Sequence, residues 1–215
     1  MTGVELLKRV IPDRYRLPLR IAAGRASRAF FKRPLPASPE LYLHLGCGPV
    51  DHPRFVNVDG FPLAHVQYVR PIDDLSPFAD GSAALVYACH CLEHFSWKAV
   101  PRVLAEWRRV LRPGGILRLS VPDFDRMVEI YEEHGRDIRS ITQFLMGGQQ
   151  NAFDFHQVVF NRRSLTALLE EAGLRDIREW TPGSDDLTTF DDWSGRRVEL
   201  GGRTYVLSLN LEAQR

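Results

Sequence analysis

Along most of the chain, short apolar runs alternate with longer stretches of helical spacing, the order of a parallel sheet covered by helices on both faces. The runs predict strands at residues 41–45, 55–58 (closing on Asp59-Gly60), 66–69, 84–89 and 116–121. Between Trp97 and Leu111, the residues Val100, Val103, Leu104, Trp107 and Leu111 share one helical face. Ser96 is the expected N-cap of that helix, Pro101 falls in its tolerant first turns, and Pro113-Gly114-Gly115 stops it. Leu165, Leu168, Leu169 and Ala172 mark a last helix capped by Gly173. Strands at 176–180 and 204–211 complete the set, the latter because Tyr205, Leu207, Leu209 and Leu211 alternate with polar neighbours. The fold class is α/β, a doubly wound Rossmann-like sheet.

Upstream, Val4, Leu7, Val10 and Ile11 stand at helical spacing, as do Ile21, Ala22, Arg25, Ala29 and Phe30 beyond a break at Pro18, so two short amphipathic helices are expected. Three prolines between 34 and 39 then deny a helix its donors and read as a linker. Residues 1–39 form a basic helical arm with a Pro-rich linker, and 40–215 a single domain.

Charge sharpens that division. Residues 1–33 carry nine Lys or Arg against Glu5 and Asp13, while the remainder holds 19 basic and 25 acidic residues, so a +7 segment precedes a −6 body. Such an arm suits an anionic membrane surface or a lipid-linked substrate, or packs on the domain as a lid; the acidic body ranks nucleic acid lower. Three cysteines are too few and too uneven for a disulfide framework, and no run is apolar enough for a signal peptide or a membrane span. The expected location is cytoplasmic, with peripheral contact at the inner face of the membrane open.

Gly46 and Gly48 follow the first strand directly, where glycine lets the backbone approach a ligand at the carboxyl end of a parallel sheet. Asp59 follows the second strand, where a carboxylate accepts both ribose hydroxyls of an adenosine. Only 13 residues separate Gly46 from Asp59, against roughly 20 in a dinucleotide site, and no third glycine opens a long helix toward a pyrophosphate. An adenosine without phosphates fits better than a nicotinamide dinucleotide.

Leu43-His-Leu-Gly-Cys-Gly48, Asn57-Val-Asp59, Asp74-Leu-Ser-Pro-Phe-Ala-Asp80, Cys91-Leu-Glu-His94 and Arg109-Val-Leu-Arg-Pro-Gly-Gly115 resemble the successive motifs of class I S-adenosylmethionine (SAM) dependent methyltransferases. The resemblance implies a seven-stranded, mostly parallel sheet whose last strand is antiparallel. It implies that Gly46, Cys47 and Gly48 face the methionine part of SAM and that Asp59 holds the ribose. Asp74 and Leu75 would border the adenine, and Cys89 and His90 would lie under the methionine carboxylate and amine. His44 departs from the acidic residue or Asn that many members carry there. The short first crossover, Ser120-Val-Pro-Asp123 and Gly147-Gly-Gln with Phe155-His156 further resemble small methyltransferases of bacterial surface-glycan biosynthesis, which implies a sugar or glycan-precursor hydroxyl as acceptor.

A hydroxyl acceptor benefits from a base, and histidine suits that role near neutral pH. His156 is the preferred base, with Asp154 and Gln157 expected to orient its ring and Phe153 and Phe155 to exclude water; His94 is a second candidate. Asp123 either caps the helix beginning near Phe124 or points into the acceptor pocket. Cys89, His90, Cys91 and His94 invite a zinc reading, but one compact run is not the paired spacing of structural zinc sites, so no metal is expected there. Phe190 and Trp193 either anchor an interface or tuck under their loop. A non-catalytic SAM-fold scaffold for a partner enzyme is the alternative from another class, and a methyltransferase acting on another small molecule, lipid, RNA or protein is the alternative acceptor reading.

Overall fold

The structure, a computed structural model, describes residues 13–30, 33–151, 153–189 and 191–215. The expected helix at Val4–Ile11 and the aromatic Phe190 lie outside these residues. Helix α1 spans Asp13–Phe30 and continues through Pro18, where a break was expected. A proline already has a helical φ, so here its missing N–H costs one backbone bond without ending the helix. Helix α1 lies against the edge of the sheet at Tyr68–Val69, with Gly24 so close to Pro62 that a Cβ there would stand 2.1 Å from the proline Cβ.

Strands β1 (Leu41–Leu45), β2 (Val56–Asp59), β3 (Tyr68–Val69), β4 (Ala83–Cys89) and β5 (Leu111–Pro122) alternate with turns and with helix α2 (Val100–Val110). Ala99, not Ser96, stands at the N-cap of α2, and it makes no side-chain cap; the Ser96 carbonyl accepts from Ala99 and Val100 one turn earlier. Helices α3 (Phe124–Glu133), α4 (Thr142–Met146) and α5 (Arg162–Glu171) precede β6 (Arg175–Glu179). The region expected to form one strand at 204–211 is divided. Strands β7 (Arg197–Leu200) and β8 (Arg203–Val206) form a hairpin closed by Gly201-Gly202, both at positive φ, and β9 (Ser208–Gln214) follows after Leu207. A Gly-Gly pair between alternating strands is a hairpin signal, and the alternation of Tyr205 with Leu209 had hidden it.

The main sheet runs β3-β2-β1-β4-β5-β9-β6, parallel except for β9, which is antiparallel to both neighbours. The order of connection reverses between β1 and β4, where Leu45 pairs with Ala88, so the turns after these two strands open into one crevice. On one face, Leu43, Leu45, Val86 and Leu117 pack with Val103, Leu104 and Trp107 of α2 and Leu165 and Leu169 of α5. On the other, Tyr42, Phe55, Leu85 and Tyr87 pack with Trp180 and Leu187, so the segment after β6 covers part of the surface that the very short first crossover leaves bare. A separate cluster of Met127, Ile130, Ile141, Tyr205 and Leu207 joins α3 to the hairpin, beside the carboxyl end of β5. Among the described residues, no helix is long and apolar enough to cross a membrane.

Candidate functional site

The chain turns after β1 at Gly46 and Gly48, with φ +63° and +53°. Gly46 is the tighter position, since a Cβ there would lie 2.3 Å from the Cys91 sulfur, whereas the space beside Gly48 is open. The Gly46 N–H donates to the Val58 carbonyl at 2.8 Å, tying the turn to β2. Asp59 then takes the Gly48 N–H at 2.9 Å on one carboxylate oxygen and the Phe61 N–H at 2.7 Å on the other. Two backbone donors leave further acceptor positions on a carboxylate, enough for a pair of hydroxyls.

Across the crevice, His90 adopts φ +51°, an uncommon left-handed conformation for a residue of its type, and donates its N–H to the Ser120 carbonyl at 2.8 Å. A cleft of about 570 Å³ joins the two turns. Gly46, Cys47, Gly48, Cys89, His90, His94 and His156 all line it, so seven of the residues singled out in the sequence meet in one place. Burial pushes the thiols of Cys47, Cys89 and Cys91 above their ordinary pKa, which makes them packing groups rather than nucleophiles. Burial also lowers His44 and His90 to about 3, so both rings are neutral. His44 borders the cleft at 2% exposure and packs edge-on to Tyr87.

Residues 147–151 and 153–157 form the far wall, where Gly147, Gly148, Gln150, Asp154 and His156 line the cleft. Asp154 shapes it by accepting from Gly148 and Gln150, and Phe153 reaches across to Phe61, just beyond Asp59, with ring centroids 5.6 Å apart. Phe144, not Asp154 or Gln157, orients His156: its carbonyl takes the His156 Nδ1–H at 2.9 Å. The Gln157 amide donates instead to the His94 carbonyl at 2.6 Å. Phe153 and Phe155 are half exposed rather than sealing the ring from water. Burial, then the neighbouring His94, lowers the His156 pKa, so a neutral imidazole faces the cleft. His94 and His156 meet with ring centroids 5.0 Å apart.

Four sequence candidates do not line the cleft: Asp59, buried where it bonds the Gly48 N–H, and three that lie farther off. Asp74 is exposed, bonds to Arg70, and lines a different hollow with Arg25 and Tyr68. Leu75 is buried, its N–H donating to Glu106 at 2.8 Å and its carbonyl accepting from Arg109 at 3.0 Å. The residue near Gly46 from this segment is Ile72, whose Cδ1 lies 3.7 Å from the Cβ position of Gly46. Asp123 caps α3, accepting the Asp125 N–H at 3.1 Å, and does not line the cleft.

Sequence reasoning also passed over Glu93. It is 1% exposed and forms no hydrogen bond through either carboxylate oxygen, and burial raises its pKa to about 8. Its place in Cys91-Leu-Glu-His94, just past a buried strand, was the available signal.

A methyltransferase-domain family model matches residues 53–119, from the end of the first crossover into β5. Among solved structures, a SAM-dependent methyltransferase from Archaeoglobus fulgidus aligns over 100% of both chains at 14% identity with a TM-score of 0.51. A 1,6-didemethyltoxoflavin-N1-methyltransferase from Burkholderia thailandensis, holding its substrate and S-adenosylhomocysteine, aligns over 94% of this chain and 82% of its own at 17% identity and TM-score 0.50. A possible histamine N-methyltransferase from Thermotoga maritima covers 94% and 93% at 15% identity and TM-score 0.50. No curated protein sequence matches significantly. The solved structures show the fold, and the family model matches a methyltransferase domain over about a third of the chain; together they support a SAM-dependent methyltransferase.

Proposed function

We propose that this chain binds SAM and methylates a hydroxyl of a sugar or glycan precursor held between the glycine turn and the wall that carries Gly147, Gly148, Asp154 and His156. The observation that carries the reading is the meeting of His94 and His156 in the cleft that begins at Gly46 and Gly48. The glycine turn with Cys47, together with Cys89 and His90, receives the methionine portion of the cofactor, and Asp59 accepts the ribose hydroxyls. Bound SAM supplies an activated methyl group on sulfur. The chain's own task is alignment, since an in-line displacement depends on holding acceptor, methyl and sulfur in near-attack geometry.

A sugar acceptor suits the remaining lining. Trp193 and Phe144 offer flat apolar faces, while Gln143, Gln150, Asp191 and Arg196 offer donors and acceptors. His156, fixed by Phe144, is the residue assigned to activating the acceptor hydroxyl, with His94 beside it. The arm is assigned two tasks: α1 braces the β3 edge, and its exposed Leu19 and Arg20 present an apolar and basic surface to an anionic membrane or a lipid-linked acceptor. The acceptor reading is tested by screening sugar nucleotides and lipid-linked glycans for transfer of a labelled methyl from SAM. Transfer to a sugar hydroxyl that His156→Ala removes supports it, and transfer confined to amines or carbon acids refutes it. Loss of liposome binding in Leu19→Glu with Arg20→Glu supports the membrane role, and unchanged binding removes it.

A further inference from the structure

We infer that Glu93, His94 and His156 form a binding site for one divalent transition-metal ion at the acceptor end of the cleft. One ligand atom from each lies within 4.8 Å of the other two. Ligands bonded to a single tetrahedral ion at about 2.1 Å stand roughly 3.4 Å apart, so small side-chain rotations close the set.

The hydrogen bonds around the cluster prepare it for a cation. The Phe144 carbonyl can only accept, so the bond at 2.9 Å fixes the His156 proton on Nδ1 and leaves a lone pair on Nε2, 3.9 Å from Glu93 Oε1. His94 Nδ1 is likewise engaged, by the Phe155 carbonyl at 3.2 Å. Imidazoles that ligate metals donate their other N–H to a backbone carbonyl in this way.

Glu93 supplies the independent observation. Its carboxyl group is 1% exposed and lacks a hydrogen bond on both oxygens, a costly state for a buried polar group in either protonation state. The nearest other ring does not relieve it. Ser208 Oγ donates to the Trp193 carbonyl at 2.7 Å, so it accepts from His90 Nε2 at 2.8 Å, which leaves His90 Nδ1 without a proton to offer Glu93 Oε1 at 3.4 Å. Ring nitrogens with free lone pairs therefore face an unpartnered carboxyl group, and a cation would join those of His94 and His156 to Glu93.

Two imidazoles and one carboxylate favour zinc, iron(II), cobalt(II) or nickel(II) over magnesium or calcium. Three protein ligands leave a coordination position open to the cleft, where an acceptor oxygen would bind and give up its proton more readily. That consequence rests on the acceptor reading above and makes His156 act as a ligand; the binding of the ion does not depend on it.

The test uses full-length protein without a polyhistidine tag, stripped with chelator and titrated with zinc(II) and with cobalt(II) as a visible-absorption probe. S-adenosylhomocysteine is titrated in parallel. The expected result is one equivalent of metal bound, with Glu93→Gln and His156→Gln each weakening it about tenfold or more while S-adenosylhomocysteine still binds. No stoichiometric binding by the native protein, or binding that neither variant weakens, would overturn the proposal and leave the cluster held by a proton or the metal on surface histidines. Metal binding without S-adenosylhomocysteine binding would uphold this site and refute the cofactor assignment.

Discussion

The carboxylate of Asp59 accepts the backbone N–H of Gly48 at 2.9 Å, so the acid that ends β2 also holds the glycine turn that follows β1. One side chain thereby ties the ends of both strands together. The same carboxylate anchors Phe61, which meets Phe153 from the opposite wall, so the glycine turn and that wall are mechanically joined.

Gly46→Ala tests the turn itself. The substitution forces a side chain into φ +63° and toward the Cys91 sulfur at 2.3 Å. Thermal unfolding should show a loss of roughly 1–3 kcal/mol, and S-adenosylhomocysteine affinity should fall. Adding Cys91→Ala should restore only part of both, because it removes the clash and leaves the φ strain.

Trp107→Phe tests how the helical layer supports the site. The fully buried Trp107 donates its indole N–H to the Ile72 carbonyl at 2.8 Å, and Ile72 stands beside Gly46. Leaving that carbonyl unpaired should cost about 1–3 kcal/mol in denaturant unfolding. Unchanged stability would show that the bond does not brace this wall.

Much of this was legible in the sequence. The strands at Leu41–Leu45 and Ala83–Cys89 are apolar runs buried on both faces, and the short spacing of Gly46 and Asp59 placed both at one turn, where Asp59 accepts the Gly48 N–H. Asp74 and Leu75, expected beside the adenine, do not line the cleft, because Arg70 draws that acid outward while Leu75 turns into the core. The partner of His156 was equally hidden. A backbone carbonyl from Phe144 carries no side-chain signature, so spacing pointed to Asp154 and Gln157 instead. Glu93 is charged by composition and buried by tertiary packing, so its place just past a buried strand was the only hint.

His156→Ala should lower kcat on the true acceptor by about 10²–10⁴-fold, while S-adenosylhomocysteine affinity stays within error. Single-turnover transfer alongside calorimetric titration separates the two. Equal losses in both would assign His156 to cofactor binding.

His44 makes stability depend on pH. Burial, followed by the charges of His52 and His65, lowers its pKa from 6.5 to about 3 in the folded chain. Below pH 6.5 the unfolded chain takes up a proton that the folded one refuses, so stability is lost as pH falls toward 3, by about 1.4 kcal/mol per pH unit once well below 6.5. His44→Gln should flatten the fall between pH 6.5 and 5 in urea unfolding. An unchanged slope would mean that the ring protonates freely in place.

The most direct measurement is calorimetric titration of the full chain with S-adenosylhomocysteine, beside Asp59→Asn. The account predicts one site of micromolar affinity, weakened about 10- to 100-fold by the substitution as a charge-assisted bond is lost. Absence of binding to the native chain, or equal binding by the variant, would contradict the cofactor site described.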